Sequence, residues 1–288
     1  MAEGSPTVRR RELGALLRKL REDQGMSVKQ VTEHLLCSPS KVSRIETGQR
    51  GATLRDVRDL CDLYGVTDQA ERDHLMTLAR EGKQQGWWQS YDLPYSTYVG
   101  LEAAAVSIRD YDSAVVPGLL QTAEYARALH EDVAPQLAVP RLTPEAIDQR
   151  VDERLRRQEL LRRETAPLTF WAVLDEAVLH RIIGSPKIMR AQLDHLIGMS
   201  DMPNVTVQVL PYTTGAHAAL GSSFNILQFA GPLPDVVYFE GLVGWIYLER
   251  SEDIARHRDV FERLAEIALS ASESLEVIEK TKRSFGGA

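Results

Sequence analysis

The sequence predicts a mainly α chain: a five-helix amino-terminal domain over residues 1–80, a linker over 81–96, and an α+β domain with a short-stranded sheet over 97–288. Three observations carry this. Helical stripes bounded by capping signals fill the first segment. The stretch EGKQQGWWQSYDLPYS has no helical period and holds two glycines, a proline and the pair Trp87 and Trp88, read as anchors of a linker to a core. Beyond it, five short runs rich in branched and aromatic residues lie between helical patterns, which favours α+β over an alternating parallel sheet.

At 288 residues the chain has room for two ordinary cores, and 43% hydrophobic with 26% charged residues marks a globular protein rather than a disordered or fibrous one. No apolar run approaches the roughly 20 residues of a membrane span, and the start MAEGSPTVRRR lacks the apolar core of a signal peptide. A cytoplasmic protein without membrane contact is expected. Cys37 and Cys61 sit in helical patterns outside any zinc spacing and read as reduced packing residues. The net charge of -7 divides unevenly: residues 1–50 hold ten Lys/Arg and six Asp/Glu, a balance of +4, which leaves -11 on the rest. A basic module on an acidic body suits one local contact with a polyanion.

Leu13, Leu16, Leu17 and Leu20 fall on one face of a first helix, and Gly25 stands where a left-handed residue ends it. Ser27 with Gln30 forms a capping-box signal for a second helix, whose buried side is Val28, Val31 and Leu35. Ser38 caps a third, with Pro39 at the first helical position, where a missing N–H does no harm. In that helix Val42 and Ile45 point one way; Ser40, Ser43, Arg44 and Thr47 lie opposite, with Lys41 on the flank. Thr53 caps a fourth helix bearing Leu54, Val57, Leu60, Cys61 and Tyr64, closed by Gly65; a fifth runs from about Thr67 to Arg80 with Leu75, Leu78 and Ala79 inside. Two short helices joined by a tight turn form the unit whose second helix fits the DNA major groove.

The stretch GMSVKQVTEHLLC followed by SPSKVSRIETGQR closely resembles the recognition region of the Cro and lambda-repressor (Xre-type) helix-turn-helix family, and the resemblance covers residues 9 to about 80. It implies that helix 38–47 enters the major groove, with Ser40 and Arg44 facing base edges and Pro39 and Ser43 close by. Ser27, Lys29, Gln49 and Arg50 would approach phosphates, and Ser38 and Lys41 complete the expected DNA-binding set. Arginine can grip guanine O6 and N7 in a bidentate manner, so Arg44 is the expected base reader. The match also implies a buried structural ion pair between Glu46 and Arg21. In two places the sequence departs from the family: Thr32 stands where a small residue is usual, and Leu36 where the turn usually has glycine.

In the second half, helical patterns fall at about 98–110, 121–131, 144–165, 175–183, 186–200 and 252–282, and LTFWAVL, NVTVQVLP, SFNILQFA, DVVYFE and GWIYLE read as strands. The Arg-rich run QRVDERLRRQELLRRE reads as a solvated, salt-bridged helix face. Through WWQSY, VPGLLQTAEYARAL, RQELL, VLDEAVLHRIIG, QLDHLI and NVTVQVLP, this half resembles an uncharacterised domain that accompanies repressor-type modules in toxin–antitoxin-like regulators of filamentous, spore-forming bacteria. The resemblance implies regulation of a neighbouring or developmental gene set together with a small co-encoded partner protein.

Asp175, Glu176, His180, His217 and Glu240 are the titratable candidates for chemistry, but none has a catalytic spacing, and Asp175 with Glu176 more simply starts a helix. The expectation is therefore a non-enzymatic, antitoxin-like transcriptional regulator with no metal or organic cofactor. It would bind double-stranded DNA at an imperfect inverted repeat as a homodimer, its carboxy-terminal domain serving dimerisation and partner binding. The alternative is a small-molecule-responsive regulator with VPGLLQT, Tyr212 and His217 lining an effector pocket.

Overall fold

Proline at the first turn and an apolar stripe make Pro6–Asp23 the first helix (α1) of the computed structural model, which describes residues 5–133, 142–231, 233–241 and 244–286. It is followed by α2 (Val28–Leu35), α3 (Pro39–Glu46), α4 (Leu54–Leu63) and α5 (Gln69–Glu81). The expected capping boxes form: Ser27 with Gln30 on α2, and Thr53 with Asp56 on α4. Leu13, Leu17, Val31, Val42, Ile45, Val57, Leu60 and Leu75 close one core, with Cys61 buried in it. A Cβ on Gly14 would stand 2.4 Å from the Ile45 carbonyl, so this glycine is what lets α1 lie directly on the end of α3.

Residues 81–96 do not form a bare connection. Trp87–Ser90 is a 3-10 turn with Trp88 buried, and α6 (Ser96–Glu102) follows. The Gly100 backbone lies against the Thr7 side chain, close enough that a Cβ would be 2.2 Å from its hydroxyl. These residues belong to the first of two compact units, Met1–Ala104 with Ala230–Leu233; the second is Ala105–Phe229 with Pro234–Ala288.

The second unit is built on a six-stranded mixed sheet in the order β3-β2-β1-β4-β5-β6, with β1 Ser107–Asp112, β2 Thr169–Asp175, β3 Val205–Leu210, β4 Phe224–Gln228, β5 Val236–Gly241 and β6 Gly244–Leu248. The five expected strands are all present. The sixth, β1, begins inside the stretch 98–110 where the sequence reading places a helix. β1 pairs parallel with β2 and antiparallel with β4, so its backbone bonds are satisfied on both sides and sheet pairing overrides the helical pattern.

Because β1, β2 and β3 are parallel, long crossovers must join them. These are α7 (Ala123–Val133) with α8 (Pro144–Gln158), and α9 (Ala177–His180) with α10 (Pro186–Ser200). The other half, β4 to β6, is an antiparallel meander. The expected single helix over 252–282 is two, α11 (Ser251–Ile267) and α12 (Ala271–Ser284), because Ser270 opens a new capping box with Glu273. α11 covers one sheet face, where Phe261 meets Trp171 edge-on at 5.4 Å and packs with Tyr111, Val173, Ile226 and Val237.

The Arg-rich run is not wholly solvated, which corrects the sequence reading. On α8, Glu153, Arg157 and Gln158 are buried. They sit under VPGLLQT, whose tight backbone needs donors and acceptors from side chains: Arg154 donates to Gln121 Oε1 at 2.7 Å, and Gln158 Nε2 donates to the Gln121 carbonyl at 2.6 Å.

Candidate nucleic-acid interface

Helix α3 owes its position to contacts on three sides. Val42 and Ile45 are buried in the core. At its end, Glu46 accepts from Arg21 Nε at 2.7 Å and from the terminal nitrogen at 3.0 Å, while the other terminal nitrogen donates to the Met26 carbonyl at 2.7 Å. This bidentate pair ties α1, the start of α2 and α3 together, with both side chains nearly excluded from solvent. Burial, and then the Glu46 carboxylate, push the neighbouring Tyr64 hydroxyl well above its usual range. At its start, α3 is capped by Ser38, whose hydroxyl accepts from Lys41 N.

The turn that joins α2 to α3 passes through Leu36 at φ 48° and ψ 47°, the left-handed region, with its side chain 92% exposed. A β-carbon in that conformation costs about 1 to 2 kcal/mol, so this turn is held against local strain. Thr32, the other departure, is buried and donates its hydroxyl to the Lys29 carbonyl at 2.8 Å.

With α3 fixed, its remaining face is set. Ser40, Ser43, Arg44 and Thr47 are all exposed. Arg44 folds back on its own helix, Nε donating to the Ser40 carbonyl at 3.1 Å and a terminal nitrogen to Ser40 Oγ at 3.4 Å. These contacts are weak, and a nucleobase edge could replace them. Pro39 and Ser38 are exposed at the helix start, Gln49 and Arg50 just past its end, and Lys29 on α2 near Glu33 at 3.9 Å. The Ser27 hydroxyl is engaged in its capping box.

Lys41 stands apart from this set. Its ammonium contacts Asp56 Oδ1 at 2.6 Å, inside the capping box where Thr53 N also donates to Asp56 at 2.9 Å. Burial opposes the charge on Asp56, but these bonds hold its carboxyl below the usual range. Lys41 therefore fastens α3 to the start of α4. Next in sequence to Asp56, Arg55 is exposed and lies 3.6 Å from Asp59. The sequence reading leaves Arg55 out; its signal is its place in the first turn of a capped helix whose start the Lys41 pair holds to α3.

In the sheet unit, some of the titratable candidates converge. His217 Nε2 lies 3.4 Å from the Tyr111 hydroxyl and 4.0 Å from Asp175 Oδ2, at the carboxyl ends of β1 and β2. Burial raises the pKa of Asp112, the last residue of β1, to about 7; a hydrogen bond with Ser223 opposes this and Glu240 adds to it. Asp175 also accepts from Ala177 N, and Glu176 from Tyr212 N, both at 2.8 Å, so both organise local backbone. His180 stacks on the exposed Tyr212 at 6.1 Å. VPGLLQT does not join these residues: its polar groups bond to α8 and to Gln192 of α10, which accepts from Thr122 N and donates to the Leu120 carbonyl, both at 2.7 Å. Among the described residues no group of three or more His, Cys, Asp or Glu is placed to hold a metal, and no helix is long and apolar enough to cross a membrane.

Two families match the chain. One, described as a helix-turn-helix domain, matches residues 12–75; the other, described as a domain of unknown function (DUF5753), matches residues 95–280. No curated protein and no solved structure matches.

Proposed function

Because the chain belongs to the DUF5753 family and carries a helix-turn-helix domain ahead of that region, we propose that it is a sequence-specific, Xre-type transcriptional regulator in which α3 reads the major groove. The observation that carries this reading is the outward face of α3. Ser40, Ser43 and Arg44 are short or basic, exposed, and held on a helix whose other contacts are fixed by Val42, Ile45, Glu46 and Lys41. Arg44 and Ser40 contact base edges with Ser43 and Pro39 beside them. Lys29, Gln49, Arg50 and Arg55 contact phosphates, as do the backbone groups near Ser27 and Ser38. Lys41 contributes as the brace of α3.

One helix of eight residues reads too few base pairs for specificity, so the working form is a homodimer on half-sites about 34 Å apart. The acidic sheet unit adds no affinity for DNA; it carries dimerisation and the contact with a small co-encoded partner protein, which gives the protein an antitoxin-like role in the cytoplasm. The internal bonding of VPGLLQT supports a protein partner over an effector pocket, because its polar groups already have partners within the unit. Sequencing the fragments that purified protein retains from fragmented genomic DNA tests the reading. An imperfect inverted repeat is expected; fragments with no shared motif would refute it.

A further inference from the structure

The two edges of the sheet are finished differently. On β3, the junction of α11 and α12 takes up the outward backbone of Val209: its N–H donates to Ser274 Oγ at 2.8 Å, and its carbonyl accepts from Leu269 N at 2.9 Å. The Gln208 amide beside it donates to the carbonyls of Ala265 and Leu269. At the other edge no described strand lies beyond β6. Natural edges are usually blunted by charge, proline or cover, and β6 has no charged residue and no proline from Gly244 to Leu248. Instead it presents Trp245, 37% exposed, and Ile246, 59% exposed, on opposite faces of the sheet. Since β6 pairs with β5 on one side, every second residue turns its N–H and C=O away from the sheet.

We propose that β6 is the dimer interface: β6 of one copy pairs antiparallel with β6 of a second copy about a two-fold axis at Ile246, joining the two sheets into one. This rests on the dimeric regulator argued above and adds where the copies meet. With the axis at Ile246, that residue meets itself, Trp245 meets Tyr247 of the second copy, and Gly244 meets Leu248, so no like charges are opposed. The register selects a second copy as the occupant, since one strand supplies both halves of an uncharged, apolar pairing. The sheet unit is acidic, 19 Lys/Arg against 26 Asp/Glu over residues 105–288, so two copies repel each other over most approaches, and an uncharged strand is where that repulsion is least. A self-complementary pairing closes at two copies, the number that two half-sites require.

The area sets the strength. A strand of five residues spans about 17 Å, so the pairing covers well under the ~800 Å² per partner of a standard stable interface. The free dimer is therefore weak, and the operator, by holding two copies side by side, strengthens it.

Sedimentation of the full chain over a range of concentrations, alone and on the selected operator, tests this with Ile246→Lys and Ile246→Glu. The wild type should associate reversibly and place two copies on the operator. Each variant should be monomeric over the same range and bind the full operator at least 10-fold more weakly, while its affinity for an isolated half-site stays at the wild-type value. An equimolar mixture of the two should recover both association and operator affinity, because the new charges then face their opposites. A charged variant that dimerises like the wild type, or a mixture that recovers nothing, overturns the assignment to β6 and leaves that edge to another protein's strand or the dimer to another surface. A wild type that binds as one copy, free and on DNA, refutes the dimeric reading itself.

Discussion

The two units turn their conspicuous polar residues in opposite directions. On α3, Ser40, Ser43 and Arg44 face solvent, and the Arg44 guanidinium bonds back to Ser40 of its own helix. In the sheet unit, Gln121, Gln158 and Gln192 are buried and bond to loop backbone. Both sets are polar residues within motifs that the sequence reading quotes. The difference is whether their hydrogen-bonding capacity is already used, and this separates residues that can recognise something from residues that hold the chain in shape.

The largest effect on this contrast is expected at Gln192. Gln192→Ala would remove the partner of the buried Leu120 carbonyl and of the half-buried Thr122 N–H, and each such loss costs about 1 to 3 kcal/mol. The denaturant midpoint of the sheet unit should fall by the equivalent of roughly 2 to 5 kcal/mol, while half-site DNA affinity stays at the wild-type value. A midpoint within error of the wild type would show that the inward network is ornamental.

The smallest expected effect lies in the other unit, at Leu36. With φ 48° and 92% exposure, this leucine has strain to lose and little packing. Leu36→Gly should raise the melting point of the helix-turn-helix unit by the equivalent of about 1 kcal/mol. A lower melting point would mean that the exposed side chain contributes packing that outweighs the strain.

The same contrast explains what could be read in the sequence. Capping and periodicity are local, so α1 to α5 follow from Ser27 with Gln30, Pro39, Thr53 and the leucine stripes; that Leu36 itself takes the left-handed turn does not follow, since a side chain is disfavoured there. The five strands that read correctly are rich in branched and aromatic residues. β1 is not: SIRDYD carries Arg109, Asp110 and Asp112, and it becomes a strand because β2 and β4 flank it. Without β1 the parallel half of the sheet could not be inferred, since both crossovers begin from it or from its neighbour. At the candidate site, Arg44 and Ser43 were legible from helical angle alone, whereas the engagement of Lys41 depends on Asp56 arriving from a different helix. Burial of Arg157 and Glu153 was hidden for the same reason: their environment is set by packing across the fold.

The proposed function turns on Arg44 of α3 reading a base while the surrounding basic residues only grip phosphate. Its most direct test is the affinity of Arg44→Ala for the selected operator and for every single-base-pair variant of one half-site, beside Lys29→Ala and Arg50→Ala. Arg44→Ala should cost about 1 to 3 kcal/mol on the operator and abolish preference at one base pair, leaving preference elsewhere intact. Lys29→Ala and Arg50→Ala should weaken all sequences alike and reduce the slope of affinity against salt by about one each. If Arg44→Ala instead weakened every sequence equally, with the preference at each base pair unchanged, α3 would not be reading DNA through Arg44 and the claim would fail.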